Sequence, residues 1–336
     1  MRRALVIGIG GGGDAVSALV IKSYYEKLSY ETVLGAVLWE RFVVDPVPGP
    51  ICAEDLTNFV PFASSIYWVN ERTEALRGER PFIVRPQLSN VLSAIKERGV
   101  GICIRDAPET LAKELRDFVN DLKVDVVIGV DAGGDVLAKG CEPGLSSPLI
   151  DFTMLSTLTK LEKEVNTLLA VMGLGSDGEL EVGYLLKRVA EIASKDGLVD
   201  IKGYDLESYN TVSKALEYVE TEASRIPWMA FKGLFGDYQL RGGLRKVEVS
   251  PLTSIAFLMR PGVVAQTSPL YHAIEGARTL EEIRAKMNEV GVFTEYDLEM
   301  ELYKLTNHGK KRASYADANT VRKEARKRLG AVRLPC

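Results

Sequence analysis

Apolar residues along this chain fall into short unbroken runs that alternate with stretches of helical spacing. The first run, Ala4, Leu5, Val6 and Ile7, is β-rich and lacks a polar face, as expected of a strand buried on both sides of a parallel sheet. It breaks at Gly8 and at Gly10 to Gly13. Val16, Leu19, Val20 and Tyr24 then mark the inner face of a helix, with Asp14 as its N-cap or first-turn residue. Residues 32–39 (TVLGAVLW) read as a second buried strand and complete a β-α-β unit. Residues 43–51 contain Pro46, Pro48, Gly49 and Pro50 and must form a rigid loop or extended excursion.

The alternation then resumes: strand at 65–69, helix over 87–98, strand at 100–104, amphipathic helix over 107–122, strand at 124–130. A helix through Leu155, Leu158 and Leu161, a strand at 167–172 and a helix carrying Leu185, Leu186 and Val189 follow. Beyond Lys195 the pattern becomes mostly helical, at 208–223, 280–290 and 295–305, with one apolar strand at 255–259 that is expected to return to the sheet. The expected fold class is therefore α/β, a Rossmann-like, doubly wound, mainly parallel sheet with a helical C-terminal extension. Residues 1–200 form its ligand-binding core and 201–336 the extension.

A length of 336 residues suits one large α/β domain or one with a modest appended unit, and 46% hydrophobic content suffices for its core. The formal net charge of −4 argues against a general nucleic-acid binder. No apolar run reaches the roughly 18 residues a membrane span needs, and no signal-peptide pattern opens the chain, so a soluble, cytoplasmic protein is expected. Cys52, Cys103, Cys141 and Cys336 have no C-x-x-C spacing and His272 and His308 are the only histidines, which disfavours a zinc site. Cys141 reads as a small turn or packing residue, and both histidines as helix-end residues. Glutamine occurs only at 87, 239 and 266 while charged residues make up 26%, a bias seen in thermophile proteins.

Three loops that leave strand ends share one chemistry: Gly10 to Gly13 with Asp14, then Asp131, Gly133, Gly134 and Asp135, then Gly175, Ser176, Asp177 and Glu179. In open α/β sheets ligands bind outside the carboxyl ends of strands, so these loops are expected to converge on one crevice. Their glycines admit backbone N–H groups to phosphate or carboxylate oxygens. Asp131, Asp135, Asp177 and Glu179 are candidate ligands for Mg2+, and the first three are the candidate catalytic residues. Each acid also has a plain reading, as a cap or turn residue that satisfies nearby backbone donors. The glycines at 8, 10 and 13 fit G-x-G-x-x-G, and Glu40 follows the second strand where a ribose-binding acid can stand. No G-x-x-x-x-G-K-[ST] or G-x-S-x-G segment occurs. Residues 310–333 hold nine Lys or Arg against Asp317 and Glu324. They read either as a solvated helix face after an Asn319 cap or as a basic arm over a phosphate-bearing ligand or another subunit.

Taken together, IGIGGGGDAVSA, LWER with DPVPGP, VIGVDAGGDVLAKGCEPGLSSPLID and GLGSDGE resemble an uncharacterised, mostly archaeal family catalogued as domain of unknown function eleven fifty-two. The resemblance covers residues 3 to about 260, implies that the three loops belong together, and adds Trp39, Glu40, Arg41, Glu142 and Pro148 as matching positions. It brings no activity. The stretch VDAGGDVLAKG is also similar to a glycine-acid segment of glutamate cyclases, which implies an amino-acid lyase as an alternative. The reading that results is a phosphoryl- or nucleotidyl-handling enzyme for a phosphorylated or nucleotide-like small molecule with Mg2+. A non-catalytic ligand-binding or regulatory module and a nicotinamide-dependent oxidoreductase stand as rivals, and a homo-oligomer is compatible with all three.

Overall fold

The computed structural model describes residues 2–78 and 81–336. The chain opens with β1 (Arg2–Gly8), α1 (Asp14–Lys27) and β2 (Tyr30–Val37). Residues 38–86 then carry five short strands: β3 (Leu56–Thr57), β4 (Val60–Pro61), β5 (Ile66–Val69), β6 (Glu74–Arg77) and β7 (Phe82–Val84). Alternation returns with α2 (Gln87–Ile95), β8 (Gly99–Ile102), α3 (Pro108–Leu122), β9 (Val126–Ala132), α4 (Pro148–Leu161), β10 (Thr167–Met172), α5 (Val182–Ala193) and β11 (Leu198–Gly203). Next come α6 (Leu206–Ala215), α7 (Arg225–Phe231), a hairpin of β12 (Gly236–Leu240) and β13 (Arg245–Val249), and β14 (Ile255–Met259). Five helices close the chain: α8 (Pro261–Gln266), α9 (Pro269–Ile274), α10 (Leu280–Glu289), α11 (Glu295–Leu305) and α12 (Tyr315–Leu329).

Nine strands form one mixed, mostly parallel sheet in the order β11-β14-β10-β9-β1-β2-β8-β5-β4. β10, β9, β1, β2 and β8 run parallel, whereas β14 and β5 run antiparallel to the strands they flank. From β1 the chain adds β2 and β8 on one side and then crosses back to add β9 and β10 on the other. Both loops that border β1 therefore open a crevice at its carboxyl end.

The strands are buried on both faces because each face has its own core. Leu5, Ile7, Val127, Leu169 and Val171 pack with side chains of α3, α4 and α5. Ala4, Val6, Ile128 and Met172 pack with α1, α2 and α6. Each fully buried Leu or Val contributes about 1.5–3 kcal/mol relative to exposure, so both layers are held firmly around the crevice. α1 departs from the expected one-sided stripe: every residue from Asp14 to Ser23 is buried, since the helix lies between the sheet and α6. The Pro-rich excursion is a loop, as its prolines require. Its polar core is Arg77, which donates to Asp45 at 2.7 Å, to Asp55 at 2.9 Å and to the Gly49 carbonyl at 3.0 Å.

Several expectations for the second half need correction. The segment beyond Lys195 includes β11 and the β12-β13 hairpin as well as helices, and the helix expected over 208–223 is α6, ending at Ala215. α12 is capped by Ser314 through a reciprocal box with Asp317, not by Asn319. Cys141 is no simple packing residue: it forms a disulfide with Cys336, and Cys52 pairs with Cys103. Among the described residues no helix is long and apolar enough to cross a membrane.

Candidate functional site

A cavity of about 380 Å³ opens at the carboxyl ends of β1, β2 and β9, lined by Gly10 to Gly13, Asp14, Glu40, Asp131 and Asp135 from those strand ends. Its opposite wall comes from distant sequence, including Thr221, Arg241, Glu295, Tyr315 and Arg322.

The glycine loop faces this space with part of its hydrogen-bonding capacity already used. Gly10 N donates to Asp14 Oδ2 at 2.8 Å and Gly12 N to the Trp39 carbonyl at 2.8 Å. Gly11 N and Gly13 N have no partner among the described residues. The packing explains why side chains are absent: a Cβ at Gly13 would overlap Thr221 Oγ1, and Gly12 has φ of +52°. Asp14 is the first residue of α1, with Gly13 as the N-cap, and its carboxylate reaches back across the turn.

Two buried acidic triads lie at the strand ends. Asp14, Asp131 and Asp151 each offer a carboxylate oxygen within 4.8 Å of the other two, and the same holds for Asp135, Asp177 and Glu179. Burial pushes Asp14 up to about 7 against the pull of its backbone donors and Arg41. Burial, followed by repulsion from Asp14 and Asp177, raises Asp131 well above the usual carboxylate range. Asp151 rises for the same reasons, with Asp131 and Asp14 as its repelling neighbours. Among the described residues its Oδ1 is buried without a hydrogen-bond partner, as is Asp135 Oδ1.

The second triad is committed to the fold to a greater degree. Glu179 accepts from Ser146 N at 2.6 Å, Ser147 N at 3.0 Å, Ser147 Oγ at 2.7 Å and Arg245 Nη1 at 2.8 Å. Burial opposes its charge, but Arg245 and Arg241 outweigh burial and hold it below the usual range. Asp135 Oδ2 lies 3.1 Å from the same Ser147 Oγ, whose one proton is closer to Glu179, and Asp177 accepts from Glu179 N at 3.2 Å. Asp177 is raised to about 6 by burial and by Glu179.

The other expected residues divide between lining and support. Glu40 lines the cavity, its Oε1 accepting from Gln87 N at 2.8 Å while Oε2 is buried without a partner among the described residues. Gly133, Gly134, Gly175 and Ser176 lie behind the cavity wall; Gly175 N donates to the Gly133 carbonyl at 2.7 Å and so ties the second loop to the third. Glu295 closes the amino end of α4 by accepting from Leu149 N at 3.0 Å and Ile150 N at 2.8 Å. Sequence reasoning missed Asp151 as a site acid, together with Arg241, Glu295 and Arg322. Its only signals for them were the SSPLID segment and the basic tail.

A family model described as a protein of unknown function, DUF1152, matches residues 5–303, and the chain belongs to this family. No curated protein and no solved structure matches it.

Proposed function

We propose that the protein is a divalent-cation-dependent enzyme acting on a phosphorylated, nucleotide-like small molecule at the carboxyl ends of a Rossmann-like sheet. The observation that carries this reading is the triad Asp14, Asp131 and Asp151, with Asp151 Oδ1 buried and unpartnered at its side. Three carboxylates at this spacing repel one another strongly in a low dielectric, and a hard cation with oxygen ligands relieves them. Mg2+ keeps waters and binds substrate phosphate as well as one or two carboxylates, which suits an acidic triad beside a cavity. Asp135 and Asp177 then stand as the candidate acid-base groups. Glu40, with one free buried oxygen, is the candidate partner for a ligand hydroxyl pair. A nicotinamide cofactor is a poorer fit, because Asp14 sets negative charge beside the loop that would hold its pyrophosphate.

Calorimetric titration with Mn2+ tests the reading. The wild type is expected to bind it, and Asp131→Asn and Asp151→Asn each to weaken it by at least about tenfold. Equal binding by all three proteins would remove the basis for a metal site. A substrate panel followed by 31P NMR separates enzyme from binding module: Asp135→Asn should abolish turnover with ligand affinity kept within about twofold. If the wild type binds phosphorylated ligands and alters none, the module reading stands instead.

A further inference from the structure

The arginines around the cavity fall into two groups, and the difference between them identifies a ligand group. Arg245 is spent on the fold, donating to Glu179 at 2.8 Å and to the Asp177 carbonyl at 3.0 Å. Arg326 is likewise spent, on the carbonyls of Pro143 and Leu145 at 2.5 and 2.6 Å. Four arginines line the cavity: Arg225 is exposed, whereas Arg41, Arg241 and Arg322 are partly buried, yet among the described residues none of these three forms a salt bridge. Arg41 makes one long contact, 3.4 Å to the Gly10 carbonyl. Among the described residues the guanidinium groups of Arg241 and Arg322 donate to no acceptor, and Arg322 Nε is a buried atom without a partner there.

Unsatisfied guanidinium groups are costly where water is scarce, and three of like charge repel one another. The same cavity contains Asp151, Glu222, Glu295 and Glu299, so acceptors were within the chain's means. The three residues also come from unrelated places: the loop after β2, the turn between β12 and β13, and α12. Convergence of unused planar forks from three segments is an arrangement for an external anion, since Arg binds phosphate oxygens in pairs.

We propose that Arg41, Arg241 and Arg322 form a diphosphate-binding subsite beside the acidic triad, so that the ligand is a cation-complexed diphosphate and not a monophosphate. This rests on the reading of the cavity as a site for a phosphorylated ligand. The number of forks decides the class. Three paired contacts use six N–H groups, which the non-bridging oxygens of pyrophosphate can accept singly with lone pairs left for a cation, whereas the oxygens of a single phosphate would each have to serve several of these partners at once. Free pyrophosphate and the diphosphate of a nucleotide share this chemistry.

Titration with inorganic pyrophosphate in the presence of Mn2+ provides the test, with orthophosphate, a nucleoside monophosphate and a nucleoside diphosphate as parallel arms. Pyrophosphate should bind at least tenfold more tightly than orthophosphate. Arg241→Met and Arg322→Met should each weaken pyrophosphate at least tenfold while Mn2+ affinity in its absence stays within twofold. Tighter binding of the nucleoside diphosphate than of pyrophosphate would assign the source as a nucleotide; the reverse order would assign free pyrophosphate, and both support the subsite. Arg241 is only partly buried, in a turn whose next three residues are exposed, so its variant remains informative if Arg322→Met fails to fold. Folded variants that bind pyrophosphate as the wild type does would overturn the subsite. A wild type that binds the monophosphate but not pyrophosphate would overturn it and leave the broader reading intact. Binding of pyrophosphate that depends on the arginines but not on Mn2+ would support the subsite and overturn the cation.

Discussion

Glu299 accepts two hydrogen bonds through one oxygen, from Trp39 Nε1 at 2.8 Å and the Gly49 amide at 3.2 Å, and burial pushes it from 4.5 up to about 8. Between those two values the folded chain keeps a proton that the unfolded chain has lost, so this residue lowers stability as pH rises through the window and adds nothing further above it. Glu299→Gln keeps an acceptor for both donors and removes the titration. Its melting temperature should gain on the wild type from pH 5 to pH 8, the gap widening by up to about 1.4 kcal/mol per pH unit; parallel curves would show that Glu299 is charged throughout. At this scale some of the site was legible and some was not. Asp14, Asp131 and Asp135 could be found because each adjoins glycines at the end of an apolar run. Asp151 lies inside a helix, where an acid in the first turn already has a sufficient local reason. Arg241 and Arg322 carry no local mark, because their meaning depends on which segment folds over which.

Helix α12 shows the same limit one level up. Its buried face is only Ala318, Val321 and Ala325, packed on Phe293, Leu298 and Leu302, a small apolar area for a helix of 15 residues. Arg328 pairs with Glu301 on α11 at 2.7 Å, and Arg326 and the Cys141–Cys336 disulfide both tie α12 to the loop before α4 that carries Ser147. Cys336→Ser should therefore loosen α12 more than the sheet. Closing a loop of 195 residues is worth roughly 5 kcal/mol of chain entropy, a global effect that also speeds β1 and β9, so the loosening of α12 should appear as a larger rise in amide exchange over 315–329 than in those strands. Pyrophosphate affinity should fall in parallel, because Arg322 rides on this helix. Unchanged exchange in α12 would mean that the bond holds nothing the other contacts do not. Elements with strong periodicity were legible in the sequence: the strand at 167–172 and the helix at 295–305 match β10 and α11. β11 was missed because it alternates Asp200 and Lys202 with apolar residues at a sheet edge, and the β12-β13 hairpin because half of each strand faces solvent. Neither offers an apolar run to read.

Across the whole molecule the cavity is assembled from residues as far apart in sequence as Gly10 and Arg322. Segments from along the whole chain meet there, among them the turn after β1, the loop after β2, the end of β9, the start of α4, the stretch from 220 to the hairpin, α11 and α12. No one of them encloses the ligand, so a ligand that bridges the triad and the arginines must restrain them together. Amide exchange with and without pyrophosphate and Mn2+ should show this as slowing in 10–16, 131–137, 147–151, 220–245 and 315–326 at the same ligand concentration. Binding to the folded state alone also stabilises it by about 2.7 kcal/mol at a hundredfold excess over Kd. Core amides of β1 and β9, which exchange only through global opening, should therefore slow roughly a hundredfold as well. The two effects separate at intermediate concentrations, where the cavity segments respond through local closure before the core reports global stability. Slowing confined to α12 and the hairpin would mean that the anion is held at the surface by the arginines alone. Asp14 and Asp131, at the ends of β1 and β9, would then take no part in binding it.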